Sequence, residues 1–312
     1  MLPLILAFKQ ILPVFLVVAL GFALRRARLL REEFTRDLSR FVFYVLVPPL
    51  MFLGVAETKL EESFHPGLVF STMLVVLLFS IMVFLVSRPW LPPSRLGVFT
   101  QGAARSNLVF MGLAILHNLY GDGILGEAAV FIAFHALLIN LLSVMFLLLP
   151  HHNWNDRSGW ARVAGQVVIN PVIAGCALGM AFSSTGLALP ETLRAALQTL
   201  ARAALPLALL IVGASLYRAP LKGQGVPILS ACLLKLIVLP ALIFLLLGQL
   251  GVQGPQRMMA VVLLGAPTAT ISQIMAKEME GDESLAAAII MATTLLSALT
   301  LTIWITLIGK SA

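Results

Sequence analysis

Two apolar stretches of this 312-residue chain carry polar groups at their centres. The first, residues 97–120, holds Gly102, Ala103, Ala104, Arg105, Ser106 and Asn107 in succession. The second, residues 256–277, holds Gly265, Ala266, Pro267, Thr268, Thr270, Ser272 and Gln273. Proline has no amide hydrogen and breaks a helical ladder. Backbone groups freed in this way at membrane depth are tolerated only inside protein or beside water. The amino ends of the resulting half-helices would aim N–H groups and partial positive charge at an anion. Arg105 adds to this reading, because an arginine in mid-span is costly and seldom faces lipid. Its guanidinium can grip a carboxylate with two parallel hydrogen bonds. Asn107 and Pro267 stand at matching positions (267 − 107 = 160). The candidate anion-contacting residues are Arg105, Ser106, Asn107, Pro267, Thr268, Thr270 and Gln273. The alternative is a pair of kinked packing helices, with Arg105 bonded to backbone carbonyls.

Other polar groups within apolar stretches are weaker signals. Lys235 could neutralise an anion, carry a proton, or snorkel to a nearby helix end. His135 could titrate or make a structural hydrogen bond; Asn140, five residues on, does not share its face. His117 and Lys277 also correspond (277 − 117 = 160) and are expected at the membrane interface. His151 and His152 lack further ligands and read as a solvated loop, so no metal site is expected. Cys176 and Cys232 each lie in an apolar span and suggest neither a zinc cluster nor a disulfide. No HExxH, Walker loop or nucleotide-binding glycine motif is present, and Ser106 and Ser272 have no evident His/Asp partners. An enzyme, a cofactor, ATP-driven chemistry and nucleic-acid binding are therefore not expected.

These residues need elements to hold them. The chain is 60% hydrophobic and only 11% charged, with a mean hydropathy of +0.99. A soluble domain is roughly 25% charged, so this is an all-α polytopic membrane protein. Spanning stretches of about 20 residues are expected near 4–24, 40–57, 66–86, 97–120, 124–149, 161–183, 199–217, 226–248, 256–277 and 283–308. Pro13-Val14, Leu20-Gly21 and Ala23 recur as Pro171-Val172, Leu178-Gly179 and Ala181 (171 − 13 = 158). Gly121-Asp122 recurs as Gly281-Asp282 (281 − 121 = 160). The ten spans thus divide into two five-helix repeats, 1–149 and 161–312, joined by a cytoplasmic linker, 150–160. An odd number of spans per repeat makes them inverted, and interrupted helices at matching positions of two repeats point to a transport site.

Charge sets the expected topology. Arg25, Arg26, Arg28, Arg31, Arg36, Arg40, Arg88, Arg95, Arg157, Arg162, Arg218, Lys222 and Lys277 fall on one side. Only Lys59, Arg194, Arg202, Arg257 and Lys310 fall on the other. The positive-inside rule then puts both termini outside. The segment 25–40 mixes both signs with Leu29, Leu30 and Phe34 and reads as a short helix on the cytoplasmic surface.

Three segments carry a family resemblance: NLVFMGLAIL from Asn107, NPVIAG from Asn170, and GAPTATISQIMAKEMEGDESLAAAIIMATTLLSALTL from Gly265. In order, and over nearly the whole chain, they resemble the auxin efflux carrier family. That family includes the plant PIN-formed auxin carriers and bacterial malate and malonate carriers, and it shares a superfold with bile-acid symporters. The resemblance implies a scaffold of spans 1, 2, 6 and 7 and a moving core of spans 3–5 and 8–10. It also implies crossover of the broken spans 4 and 9, with substrate between core and scaffold. Asn107 corresponds to the family's carboxylate-contacting asparagine and Pro267 to its second-break proline. Ser106 stands where the plant pattern has proline, and Ala114 replaces a proline common two residues after Gly112. The long cytosolic loop of plant carriers is absent.

The expectation is a secondary or facilitative transporter of small mono- or dicarboxylates, such as malate or malonate, working by elevator-type alternating access. It is expected as a homodimer among the lipids of a bacterial inner membrane. Lys235 and His135 are candidates for coupling or charge relay, with protons or sodium as the coupling ion. The alternatives are a sodium symporter, with Thr268, Thr270, Ser272 and Gln273 as oxygen ligands, or a non-transporting receptor on the same fold.

Overall fold

The computed structural model describes residues 2–56, 64–150, 170–217 and 225–311, and every regular element among them is helical. The expected linker histidines and the loop residues Lys59, Arg157, Arg162, Arg218 and Lys222 lie outside the described residues.

Helix α1, Leu2–Arg26, ends on Arg25 and Arg26, whose charges suit the negative carboxyl pole of a helix. Arg25 turns back to donate to the Leu30 carbonyl and to Glu32, at 3.1 and 3.0 Å. Helix α2, Glu32–Phe41, has two acids in its first turn, matching the positive amino pole. It is not a separate surface helix. It runs through a π-helical turn, Val42–Leu46, into α3, Val47–Ala56, making one apolar unit of 25 residues.

Proline at the first helical position opens α4, Pro66–Ser87, and α5, Pro93–Ala104. There its missing N–H costs nothing and its fixed φ is already helical. After α5 come a π-helical turn, Leu108–Gly112, and α6, Leu113–Tyr120. Gly121, at φ +67°, divides α6 from α7, Leu125–Leu148. Helix α8, Pro171–Ser183, is capped by Asn170, whose Oδ1 accepts from the Val172 amide at 3.0 Å. Helix α9, Glu191–Ser215, starts eight residues before the apolar run at 199, because its first two turns are polar but still helix-forming. Then follow α10, Gly225–Leu233, a π-helical turn, Leu234–Val238, and α11, Leu239–Gln249. The chain closes with α12, Gly254–Gly265, α13, Ile271–Glu278, and α14, Glu283–Ser311.

Among the described residues seven helical stretches are long and apolar enough to cross a membrane, and Pro171–Ser183 is a shorter apolar helix. Their outer faces are apolar. On α4 the exposed side chains Leu74, Leu78, Ile81 and Leu85 recur at helical spacing, as do Leu295, Leu299 and Ile303 on α14. Such stripes suit lipid, and the chain is a polytopic α-helical membrane protein.

Glycines set the closest helix contacts. A Cβ at Gly213 of α9 would lie 1.8 Å from the Val18 carbonyl oxygen of α1. One at Gly21 of α1 would lie 2.2 Å from the Leu210 oxygen of α9. Helices α3 and α8 meet in the same way, at Gly175 against the Pro48 oxygen (2.7 Å) and Gly179 against the Phe52 oxygen (2.8 Å). Gly97 brings α5 onto α7, with the Phe146 oxygen 2.3 Å from a would-be Cβ. Small residues let helix backbones approach where apolar burial supplies no drive between helices. Helix α9 also packs on α3, while α4, α5 and α7 pack together, as do α11, α12 and α14.

Candidate functional site: the crossing of two interrupted helices

Both expected interruptions are present, and they touch. After Ala104 the backbone turns extended at Arg105 (φ −78°, ψ 107°), and after Gly265 it does so at Ala266 (φ −58°, ψ 151°). The second turn follows from Pro267, which biases its preceding residue away from helix. Ser106 and Thr268 form an antiparallel bridge there. The Asn107 amide donates to the Pro267 carbonyl at 2.8 Å, and the Ala269 amide to the Arg105 carbonyl at 3.3 Å.

The hydroxyls at the bridge are exchanged. Ser106 Oγ donates to the Leu264 carbonyl in the last turn of α12 at 2.9 Å. Thr268 Oγ1 donates to the Gly102 carbonyl in the last turn of α5 at 2.7 Å. These carbonyls have no partner within their own helix ends, so each break satisfies the other. The two bonds are related by one offset (268 − 106 = 162; 264 − 102 = 162). On the next helix, Thr293 Oγ1 accepts from the Thr268 amide at 3.1 Å.

Lys235 reaches this crossing instead of snorkelling. Its side chain is fully buried, and Nζ donates to Ser106 Oγ at 2.7 Å and to the Leu264 carbonyl at 2.5 Å. The Leu236 carbonyl, which finds no amide hydrogen four residues on at Pro240, accepts from Trp304 Nε1 at 3.0 Å.

Arg105 is 7% exposed, and its guanidinium turns toward α7. Nη1 donates to Ser143 Oγ at 2.9 Å and Nη2 to Asn140 Oδ1 at 2.7 Å, while Nε is buried without a partner. Asn140 and Ser143 share one face of α7, three residues apart. A small hollow beside them is lined by Ser80, Thr100, Gln101, Arg105 and Ser143. Gln101 Nε2 donates to the Ser272 carbonyl at 3.1 Å, leaving its Oε1 and Ser272 Oγ buried and unpaired. Among the described residues no carboxylate pairs with Arg105 or Lys235.

Asn107 caps its own half-helix. Oδ1 accepts from the Phe110 amide at 3.3 Å, while Nδ2 is buried with no acceptor. Thr270 stands at the start of α13 and is partly buried. Gln273 lies further along α13, where Nε2 donates to Glu283 at 3.1 Å, so its amide nitrogen is engaged away from the bridge. His135 is remote from these bonds. Its Nδ1 donates to the Phe131 carbonyl at 2.9 Å, Nε2 meets Thr72 Oγ1 at 3.2 Å, and the ring stacks on Phe131. His117 and Lys277 are exposed and pair with Asp122 (3.0 Å) and Glu283 (3.8 Å).

The structure therefore gathers Arg105, Ser106, Asn107, Pro267, Thr268 and Lys235, and leaves His135 and Gln273 apart. Sequence reasoning missed Gln101, Ser143 and Thr293. Ser143 was legible as the helical neighbour of Asn140; Thr293 gives no signal in an apolar run. At the capping end of α14, Asp282 Oδ1 accepts from Ser284 Oγ (2.7 Å) and the Leu285 amide (3.0 Å), and Oδ2 from Arg95 Nε (2.9 Å). Partial burial alone would raise the Asp282 carboxyl. The bonds from Ser284, Leu285 and Arg95, with the Arg95 charge, outweigh burial and hold it below the ordinary value of 3.8.

Comparison with known proteins covers the same ground. A sequence profile described as "Membrane transport protein" matches residues 6–159 and 161–305. A Rhizobium meliloti protein named "Putative malonate transporter" is 26% identical over 309 residues, 97% of this chain and 96% of the relative. An "Uncharacterized transporter" of Methanothermobacter thermautotrophicus is 25% identical over 299 residues, 95% of this chain and 96% of the relative. Another, from Methanocaldococcus jannaschii, is 24% identical over 304 residues, 94% of this chain and 96% of the relative.

Proposed function

We propose that this chain, which belongs to the auxin efflux carrier family of membrane transport proteins, carries small mono- or dicarboxylates across the membrane. The observation that carries the proposal is the charge at the crossing. Arg105 and Lys235 are buried there with no carboxylate partner among the described residues, and Asn107 Nδ2 is an unused buried donor beside them. Buried cations without protein anions are costly, and a carboxylate substrate offsets that cost. The malonate in the name of the Rhizobium meliloti relative is of the same chemical class.

The anion would lie against the half-helix after Asn107, whose π-helical turn packs on α9. In this reading α1, α2–α3, α8 and α9 form the scaffold, and the remaining helices form a core that carries the anion in elevator fashion. Supporting it, the approaches under 3.0 Å to a neighbouring backbone at Gly21, Gly97, Gly175, Gly179 and Gly213 each join helices within one of these two groups; the α3–α7 approach of Gly54 to Leu125 across them is looser, at 3.1 Å. Two inverted five-helix repeats are supported by exchanged pairs: Gly21 against Leu210, and Gly179 against Phe52 (179 − 21 = 158; 210 − 52 = 158). Both termini outside and a homodimer through the scaffold complete the proposal. Proteoliposomes loaded with malonate or malate should take up the labelled anion by exchange. If the purified protein neither exchanges such anions nor is stabilised by them, the reading is wrong.

A further inference from the structure

We infer that the hairpin between α1 and α2 is a docking site for anionic phospholipid, its arginines meeting the phosphate headgroups and its exposed apolar side chains the upper acyl chains. Residues 25–41 carry six arginines and three acids, a net charge of +3 (6 − 3). Arg25 is engaged within the protein, on the Leu30 carbonyl and Glu32. Arg26, Arg28, Arg31, Arg36 and Arg40 are exposed, and among the described residues no ion pair takes them up. A cluster of four or more such cations at the end of a spanning helix suits an anionic headgroup layer. Apolar side chains stand among them. Leu29, at the tip of the turn, is 71% exposed, and Phe34 and Phe41 are exposed on α2. Seven residues apart, the two rings share one face of that helix, and exposed Val45 continues their line onto the span.

Two observations set this hairpin apart from a loop that merely marks one side of the membrane. None of the ten residues of α2 is buried, so packing against protein holds little of it. A short helix without a buried face is marginal in water, and a headgroup layer covers the face that protein leaves bare. The second observation is Arg28, which holds φ +63°, a left-handed conformation that favours glycine. The turn requires it, because the Leu29 and Leu30 amides both fold back onto the Leu24 carbonyl, at 3.0 and 3.3 Å. An arginine here is more strained than glycine, but it sets a charge at the tip of the hairpin, next to Leu29. The lipid contact is independent of which way the chain inserts; its cytoplasmic side follows from the proposed topology. In the proposed scaffold, headgroups on this hairpin steady α1–α3 while the core moves.

The test needs no organic anion, so failure of carboxylate exchange would leave it standing. The purified full-length chain is melted in neutral detergent against rising dioleoyl phosphatidylglycerol or dioleoyl phosphatidylcholine. Wild type should gain several degrees, saturably, with phosphatidylglycerol, and less with phosphatidylcholine. The gain should shrink as salt is raised, because these charges are exposed. An arginine near an anionic surface strengthens association roughly fivefold. The triple variant Arg31→Gln, Arg36→Gln, Arg40→Gln should therefore need about a hundredfold more phosphatidylglycerol for the same gain. Arg28→Gly separates strain from charge. Without lipid it should melt at or above wild type, since glycine suits the left-handed turn, yet it should need about fivefold more phosphatidylglycerol. Glycerol phosphate, the headgroup without its chains, should give no gain at matched concentrations. Leu29→Cys carrying a fluorophore, with both native cysteines buried, should be quenched by brominated lipid after reconstitution. Equal gains from the two lipids overturn the inference, as does a triple variant that responds like wild type. A gain reproduced by glycerol phosphate marks a soluble-anion site and overturns it too, and so does a label at residue 29 that brominated lipid leaves unquenched. Should the triple variant fail to fold, Arg28→Gly and the residue-29 label decide by the same outcomes.

Discussion

Removing one hydroxyl from each side of the crossing should have unequal effects. Thr268→Val keeps the side-chain shape and deletes a single bond, to the Gly102 carbonyl at 2.7 Å. A buried hydrogen bond is worth about 1 kcal/mol net, and an acceptor left bare costs about 1–3 kcal/mol. Ser106→Ala deletes the bond to Leu264 and also one of the two oxygens that hold the Lys235 ammonium. Bonds to charged groups are worth about 1.5–3 kcal/mol, so Ser106→Ala should cost about 2–4 kcal/mol in all. At roughly 2–4 °C per kcal/mol, Ser106→Ala should lower the melting temperature by about 4–16 °C and Thr268→Val by about 2–12 °C. Because both hydroxyls are committed to backbone carbonyls, uptake by whatever protein stays folded should show a KM near wild type. Melting of the purified variants, paired with anion uptake, measures both quantities. The reasoning fails if Thr268→Val is the more damaging. It fails equally if Ser106→Ala melts like wild type while KM rises tenfold, for then that hydroxyl meets substrate.

Three further outcomes follow from the same geometry. Asn107→Asp keeps the Oδ1 that caps the half-helix but replaces the unpaired Nδ2 donor with negative charge; it should melt within a few degrees of wild type and lose anion uptake, and retained uptake would remove Asn107 from the site. Gly213→Ala forces a Cβ to 1.8 Å from the Val18 oxygen and should destabilise by about 1–3 kcal/mol or more, whereas Gly67→Ala meets nothing within 4 Å and should be silent or slightly stabilising; equal melting temperatures would show that α1 and α9 are not in backbone contact. Asp282 is held below its ordinary value in the fold, so its contribution is present above the unfolded carboxylate value and is lost as pH falls through the lowered folded one. The melting gap between wild type and Asp282→Asn should therefore be full at neutral pH and close as pH drops below about 4; a gap that widens with acid would contradict the sign.

Both interruptions were legible because glycine, proline and polar side chains gathered in one apolar run are costly in an unbroken spanning helix. That the breaks would touch came from the family resemblance, since nothing in either segment names the other. Periodicity could not show where the side chains go. Arg105 reads equally well as a substrate clamp or a structural group, and only the positions of Asn140 and Ser143 on α7 show that its Nη atoms are already engaged. Lys235 is only about two turns from a helix end, so snorkelling was open to it; the π-helical turn that rotates it inward has no plain sequence signature. Helix α2 reads as a surface helix because its first ten residues are amphipathic, yet continuity through Val42–Leu46 joins it to a span.

The exchanged hydroxyl bonds also constrain how the protein is made. Ser106 and Arg105 are translated about 160 residues before Leu264 and Ala269, the residues whose backbone they bond. Until α12 and α13 enter the bilayer, the first interruption has an extended backbone with bare amides and carbonyls, which hydrocarbon does not tolerate. The amino-terminal half must wait, with its break kept wet or held by another protein, or with Pro93–Tyr120 wound as a continuous helix that later opens. Non-local partners of this kind slow folding, because the chain between them must be ordered first. A ribosome-stalled chain ending at residue 217 should accordingly be protease-sensitive near residues 105–107, and one extended through residue 311 should be protected. Equal protection of both would mean that the first half closes its break unaided.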